Sequence, residues 1–192
     1  MPVPLELAVY SHADVKQSKT IRGEEYMNRV SILTATTLSL MLLGISPPAK
    51  SQTLKQQLVG TWTFVSSTTK LPDGTPLWGS NPRGLVIFTD NGRYSSQLMR
   101  SDRPKFASNN RAQGTPEENK ATVLGTISSF GTYSVNEANK TFTVRFEGSS
   151  YPNMEGTEQT RPFTITGDEL RVTNPSPSVG GQPSQLVYKR AK

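Results

Sequence analysis

Gly60-Thr61-Trp62 opens a stretch of chain in which nearly every segment reads as a short strand or a turn. That succession constrains the fold more than any other feature. The strand-like runs are Trp62 to Val65, Gly84 to Thr89, Arg93 to Arg100, Phe130 to Val135, Thr141 to Ser149, Arg161 to Ile165, Glu169 to Thr173 and Gln185 to Lys189. Thr141 to Ser149 alternates cleanly, with Phe142, Val144 and Phe146 on one face. Turn signals separate the runs: Leu71-Pro72-Asp73-Gly74, Asp90-Asn91-Gly92, Asn136 to Lys140 and Gly167-Asp168. Asn-Gly suits a type I′ hairpin, because Gly accepts positive φ at no steric cost. Seven or eight antiparallel strands joined mostly by short turns predict an all-β, up-and-down barrel of about eight strands, since closure removes exposed edges. Gly60 lets the chain approach closely as it enters the first strand. Trp62 is large enough to plug one end of the barrel.

Two helical segments accompany the strands. Gln52 to Val59 reads as one or two helical turns, with Leu54 and Leu58 on one face. The long excursion from Ser101 to Ser129 would lie across a barrel mouth, and its length and helix make it a candidate lid. Thr115-Pro116-Glu117-Glu118 carries a helix start: Thr as N-cap, Pro at the first position and Glu at the third. That helix is expected to reach about Thr126, with Ala121, Leu124 and Ile127 as its apolar side.

The amino-terminal third has another character. Met27-Asn28-Arg29 is a positive n-region, Val30 to Ile45 an apolar h-region, and Ala49-Lys50-Ser51 fits a small-residue cleavage rule. A transmembrane anchor is the competing reading. The stretch is shorter than the roughly 20 apolar residues a span prefers, and it carries several hydroxyls. Residues 27–51 are therefore read as a signal peptide, residues 1–26 as an upstream extension or mis-assigned start, and residues 52–192 as the barrel domain. A periplasmic or secreted location, with no membrane association after leader cleavage, follows as an expectation.

Absences narrow the chemistry. The chain has no Cys, and its one His, His12, precedes the domain. Disulfides, thiol catalysis, Cys- or His-ligated metal and a Ser-His-Asp triad are excluded from the domain. No cofactor and no metal are expected. The net charge is +6, but the basic residues are scattered, with no run of five or more. Nucleic acid is not an expected partner.

A family resemblance joins these readings. Asn81-Pro82-Arg83-Gly84, Gly92 to Arg100, Arg103 to Ser108, Phe130-Gly131-Thr132-Tyr133, Glu147-Gly148-Ser149, Pro152-Asn153, Gly156-Thr157 and Arg161-Pro162-Phe163 resemble the bacterial and fungal lipocalin-like domain family. The match covers about residues 58–190, with many short motifs in order. The resemblance implies a lipocalin-like barrel with a small-molecule cavity and no agreed reaction. Family members often carry His near positions 144 and 145, where this chain has Val144 and Arg145, so an activity relying on such a His would be absent here. The resemblance also implies that Trp62 packs under a basic residue of the last strand, Lys189 or Arg190.

Several residues are candidate ligand contacts. Gln97 and Met99 share a strand face with Ser95, and Gln97 can both donate and accept. Tyr133 combines an apolar body with a polar tip. Arg83 could anchor a loop or a ligand carboxylate. Glu147 and Arg161 flank the Tyr151-to-Met154 connection. A hairpin centred near Met154 would set them opposite each other, on the face away from Phe142, Val144 and Phe146. If the apolar face lines the barrel, they form an exterior ion pair. If the polar face points inward, they form a buried charge pair in the cavity. Gly60, Trp62 and Arg190 are expected to be structural. The leading expectation is a barrel that binds a small, mainly apolar molecule. A cavity-confined cyclase or isomerase, with Glu147 as acid/base, Arg161 as its partner and Tyr133 as donor, is the second. A structural or surface-interaction protein is the third.

Overall fold

The computed structural model describes residues 51–192. The expected upstream extension and signal peptide lie outside the described residues, save Ser51. The described chain forms eight antiparallel strands in sequence order, closed into a barrel by pairing of the last with the first. The strands are β1 (Gly60–Ser67), β2 (Arg83–Phe88), β3 (Arg93–Met99), β4 (Thr126–Asn136), β5 (Thr141–Ser149), β6 (Glu158–Thr166), β7 (Glu169–Asn174) and β8 (Ser184–Arg190). Helix α1 (Leu54–Leu58) precedes them, and helix α2 (Pro116–Leu124) lies between β3 and β4.

The closed end of the barrel is built by α1 and β8. Thr53 caps α1 with its hydroxyl, and Gln56 reaches back to the Thr53 amide. Glu137, from the β4–β5 turn, accepts from the amides of Leu54 at 2.8 Å and Lys55 at 3.0 Å. One carboxylate thus satisfies two helix-start donors and ties the helix to the barrel. Trp62 is fully buried and donates its indole N–H to Leu58 O at 2.8 Å. The Arg190 guanidinium lies 4.1 Å above the indole ring and donates to Gln57 O at 2.7 Å and Val59 O at 3.2 Å. Of the two basic residues expected over Trp62, Arg190 is the one in place. Gly60 has φ of 132°, and a Cβ there would approach Arg190 Nη1 to 3.2 Å. The residue is thus fixed both by backbone conformation and by the arginine above it.

Above this plug the interior fills with aromatic rings. Phe88 meets Tyr94, Tyr133 and Phe142 at centroid distances of 5.5, 5.0 and 5.2 Å. Phe142 meets Phe163 at 5.5 Å. These tilted and edge-on pairs suit ring quadrupoles, at about 0.5–1.5 kcal/mol each beyond burial. The apolar face Phe142, Val144 and Phe146 therefore points inward, and all three are buried.

Three local expectations change. In the β2–β3 hairpin only Gly92 has positive φ, 83°, while Asn91 does not. The Gly92 amide bonds to Thr89 O and the Thr89 amide to Arg93 O. This is a turn closed by a single left-handed glycine, not the type I′ form, which needs positive φ twice. Helix α2 stops at Leu124, where the Gly125 amide bonds back to Ala121 O. Ile127 consequently belongs to β4 rather than to the helix. The β5–β6 connection contains a 3-10 turn, Pro152–Met154, and sets Phe142 opposite Arg161 and Val144 opposite Gln159. The expected pairing of Glu147 with Arg161 differs from this register by an odd number of residues. An odd slip turns a whole strand over, so Arg161 faces inward while Glu147 faces out.

Candidate functional site

The end of the barrel away from Trp62 holds a cavity of about 430 Å³. Its wall alternates out of β3, β4, β5, β6 and β8, because every second residue of a strand faces the lumen. Tyr94, Ser96 and Leu98 come from β3, Ile127 and Ser129 from β4, Phe146 from β5, and Leu186 and Tyr188 from β8. Leu77 and Trp78, from the β1–β2 connection, reach over the opening and are both buried. Residues of the β5–β6 and β7–β8 connections, including Met154 and Ser176, form the rest of the rim with Asn174 at the end of β7. Helix α2 does not line this cavity. It packs outside the Leu77 segment, where Leu71, Leu77, Arg103, Ala121 and Leu124 enclose a second, smaller pocket of about 240 Å³.

Polar and apolar groups share the wall: beside the aliphatic and aromatic side chains stand Thr69, Ser96, Ser129, Asn153, Gln159 and Arg161. Arg161 and Glu158 are the only charged residues on its wall. Glu158 belongs to the rim and lies 3.5 Å from Arg145 on the outer surface. Arg161 donates Nε to Gln159 Oε1 at 2.6 Å, and its guanidinium sits 6.0 Å from the Phe146 ring centre. Tyr94 and Tyr188 are 4% and 3% exposed, and no side-chain N or O atom among the described residues is both fully buried and unpartnered. Neither hydroxyl has a hydrogen-bond partner among the described residues, so each opens onto the lumen. The same holds for the hydroxyls of Ser96 and Ser129, which face each other in the β3–β4 register. Burial pushes the Tyr188 hydroxyl well above the ordinary tyrosine range; Tyr94 adds to the shift and the charge of Arg161 opposes it. Tyr188 is therefore a neutral donor at any physiological pH.

The sequence candidates divide between the two faces. Arg161 lines the cavity. Tyr133 points inward but at the closed end, where its hydroxyl donates to Thr89 O at 2.7 Å. Burial and the nearby Asp90 raise its pKa, and it does not reach the cavity. Gln97 and Met99 sit on the outer phase of β3. Gln97 donates to Ser95 Oγ at 2.9 Å, and Met99 Sδ accepts from Arg103 at 3.4 Å. Glu147 is clamped on the outer surface by both terminal nitrogens of Arg93 at 2.8 Å. That bond and the arginine charge hold its carboxyl below the ordinary glutamate range. Glu147 therefore has no access to a substrate in the cavity, and the facing Glu147–Arg161 pair does not form. Arg83 is exposed at the start of β2.

The cavity residues that sequence reasoning missed are Tyr94, Ser96, Ser129, Trp78 and Tyr188. A signal for the β3 set exists. Tyr94 and Leu98 bracket Ser96 at spacing two, a more apolar phase than Ser95, Gln97 and Met99. Among the described residues, no group of three or more acidic, His or Cys side chains is placed to hold a metal ion.

An eight-stranded closed barrel with one plugged end and one roofed cavity is a lipocalin-like architecture. The chain matches the family described as a lipocalin-like domain over residues 59–191, and it belongs to that family. No curated protein matches the chain significantly. Among solved structures, the wild-type fluorescent protein UnaG is similar at 16% identity and a TM-score of 0.33, over 72% of this chain and all of that one. An asparagine-to-glutamine variant of the same protein is similar at 16% identity and a TM-score of 0.32, over 70% of this chain and 96% of that one.

Proposed function

We propose that this chain is a secreted or periplasmic lipocalin-like protein that holds a small, mainly apolar molecule in its barrel cavity. The observation that carries the reading is the cavity itself. The rings of Phe88, Tyr133, Phe142 and Phe163 fill the lower barrel, whereas the upper barrel leaves about 430 Å³ between side chains. That volume falls within the roughly 300–1,000 Å³ of small-molecule sites. Its walls combine Leu77, Trp78, Leu98, Ile127, Phe146 and Leu186 with hydroxyl, amide and guanidinium groups. In such a mixed wall, burial of a ligand's apolar body gives affinity and the polar groups orient it. The leader-like residues 27–51 support the location.

The test is native purification of the full-length protein followed by mass spectrometry of what accompanies it. A stoichiometric apolar molecule supports the reading. Failure of the purified protein to take up any of a panel of small apolar molecules, seen as unchanged tryptophan fluorescence from Trp78, refutes it.

A further inference from the structure

We propose that the molecule held in the cavity is an apolar monocarboxylic acid, bound head-down, with its carboxylate on Arg161 and the hydroxyls of Tyr188 and Tyr94. This rests on the cavity-binding reading above and adds the class of ligand.

Three observations converge. The first is the isolation of Arg161. Every other ion pair of the described barrel, from Arg93–Glu147 to Arg171–Glu169, lies at the surface, and none involves Arg161. Its only hydrogen bond among the described residues uses Nε, to Gln159. Both terminal nitrogens, the fork that matches a carboxylate, are left open to the lumen. The half-buried guanidinium lines the cavity with no acidic partner among the described residues, so a ligand carboxylate there would meet an unshared positive charge. The second is the pair of tyrosines. Tyr94 and Tyr188 are nearly fully buried, yet both hydroxyls lack protein partners. Each hydroxyl opens onto the lumen with its proton uncommitted, and Tyr188 lies within the field of both Tyr94 and Arg161, so the three groups can together hold an anion. Burial keeps Tyr188 protonated and hence able to donate.

The third observation is depth. Along β6 the inward residues run from Gln159 at the rim through Arg161 to Phe163, which is packed on Phe142. Along β8 they run from Ser184 at the rim through Leu186 to Tyr188, which is packed on Phe64 at 5.4 Å. Arg161 and Tyr188 thus stand at the cavity floor, directly above the aromatic fill. Leu77, Trp78, Leu98, Ile127 and Met154 stand above them toward the mouth. The polar end of a ligand belongs at the floor and its apolar body under the roof. The one cavity carboxylate, Glu158, is at the rim and engaged by Arg145, so it does not neutralise the floor.

The experiment compares decanoate with decanol by isothermal titration calorimetry of the full-length protein at neutral pH. The two share a chain and differ in head charge. The expected result is at least tenfold tighter binding of decanoate. In Arg161→Gln the preference falls below twofold, with far-UV circular dichroism showing the variant to be folded. Tyr188→Phe, which removes one hydroxyl and keeps the ring, lowers decanoate affinity several-fold and decanol affinity by less, so that the acid's preference narrows. It serves as the decisive variant if Arg161→Gln does not fold. Equal binding of acid and alcohol by the wild-type protein overturns the inference and leaves the cavity-binding reading standing. Binding of neither refutes both.

Discussion

Arg190→Ala removes the tie between the last strand, the plug and the first helix, and its cost can be assembled from the geometry. Three contacts disappear: the guanidinium 4.1 Å over Trp62, and the bonds to Gln57 O at 2.7 Å and Val59 O at 3.2 Å. A cation–π contact of this kind is worth about 0.5–2 kcal/mol. Hydrogen bonds from a charged donor contribute about 1.5–3 kcal/mol each. The Arg190 side chain is 33% exposed, so the lower ends apply, and water can reach the freed carbonyls in the variant. The Asp168 carboxylate, 3.9 Å away and 68% exposed, adds almost nothing. The expected loss is about 3 kcal/mol, of which Arg190→Lys should recover part, because an ammonium restores charge but not the fork. Urea unfolding followed by far-UV circular dichroism reads this as a midpoint lower by about 1.5–2 M at unchanged slope. Hydrogen exchange should quicken first at the α1 amides. A loss below about 1 kcal/mol, or exchange that quickens evenly around the barrel, would show that the plug does not depend on this arginine.

Three further outcomes follow from the structure. Glu147→Gln should leave ligand affinity within about twofold, since its carboxylate lies outside the barrel on Arg93; a tenfold loss by calorimetry would contradict the β5–β6 register. Gly131→Ala should destabilise by about 2 kcal/mol or more, because its Cβ would overlap Arg145 O of the neighbouring strand. Gly74→Ala, whose Cβ meets nothing within 4 Å, should cost only the positive-φ penalty of about 1–2 kcal/mol, and equal losses in urea titrations would refute the contrast. Glu118 accepts from the amides of Ala107 and Thr115, which hold its carboxyl below the ordinary range. A depressed carboxylate contributes stability above its unfolded pKa and loses it as pH falls through the folded value. The protection factor of the Ala107 amide, its exchange rate set against the intrinsic rate at the same pH, should therefore fall on acidification in the wild-type protein and be low at every pH in Glu118→Ala; a wild-type protection factor that does not change with pH would sink the assignment.

The barrel was readable because its cues are local. Alternation at Phe142, Val144 and Phe146, the glycine turns at Gly92 and Gly167, and the Thr115-Pro116 helix start each act within a few residues. The site was less readable because it depends on which face turns inward. For β5 and β6 that is decided by the length of the connection, where a 3-10 turn at Pro152–Met154 absorbs residues in a way composition does not reveal. For β3 both phases carry polar residues, and Gln97 drew attention away from the phase whose ends, Tyr94 and Leu98, are the more apolar. Phe130 illustrates the same limit. It sits on the outer phase of β4 between the inward Ser129 and Gly131, and its half-exposed ring covers the space that Gly148 of β5 lacks a side chain to fill. Trp62 and Arg190 were legible only through family likeness, since they are 128 positions apart in the chain and share no local pattern.

The floor of rings beneath Tyr94 and Tyr188 has a kinetic meaning. With Trp62, Phe88 and Phe142 blocking passage below, whatever enters between Trp78 and Met154 must leave by the same opening. Loading and unloading then compete for one doorway, so a second molecule cannot push the first out through the far end. Exchange would be first order in the occupied protein and independent of competitor concentration, and its rate would be set by the motion of the rim rather than by the strands.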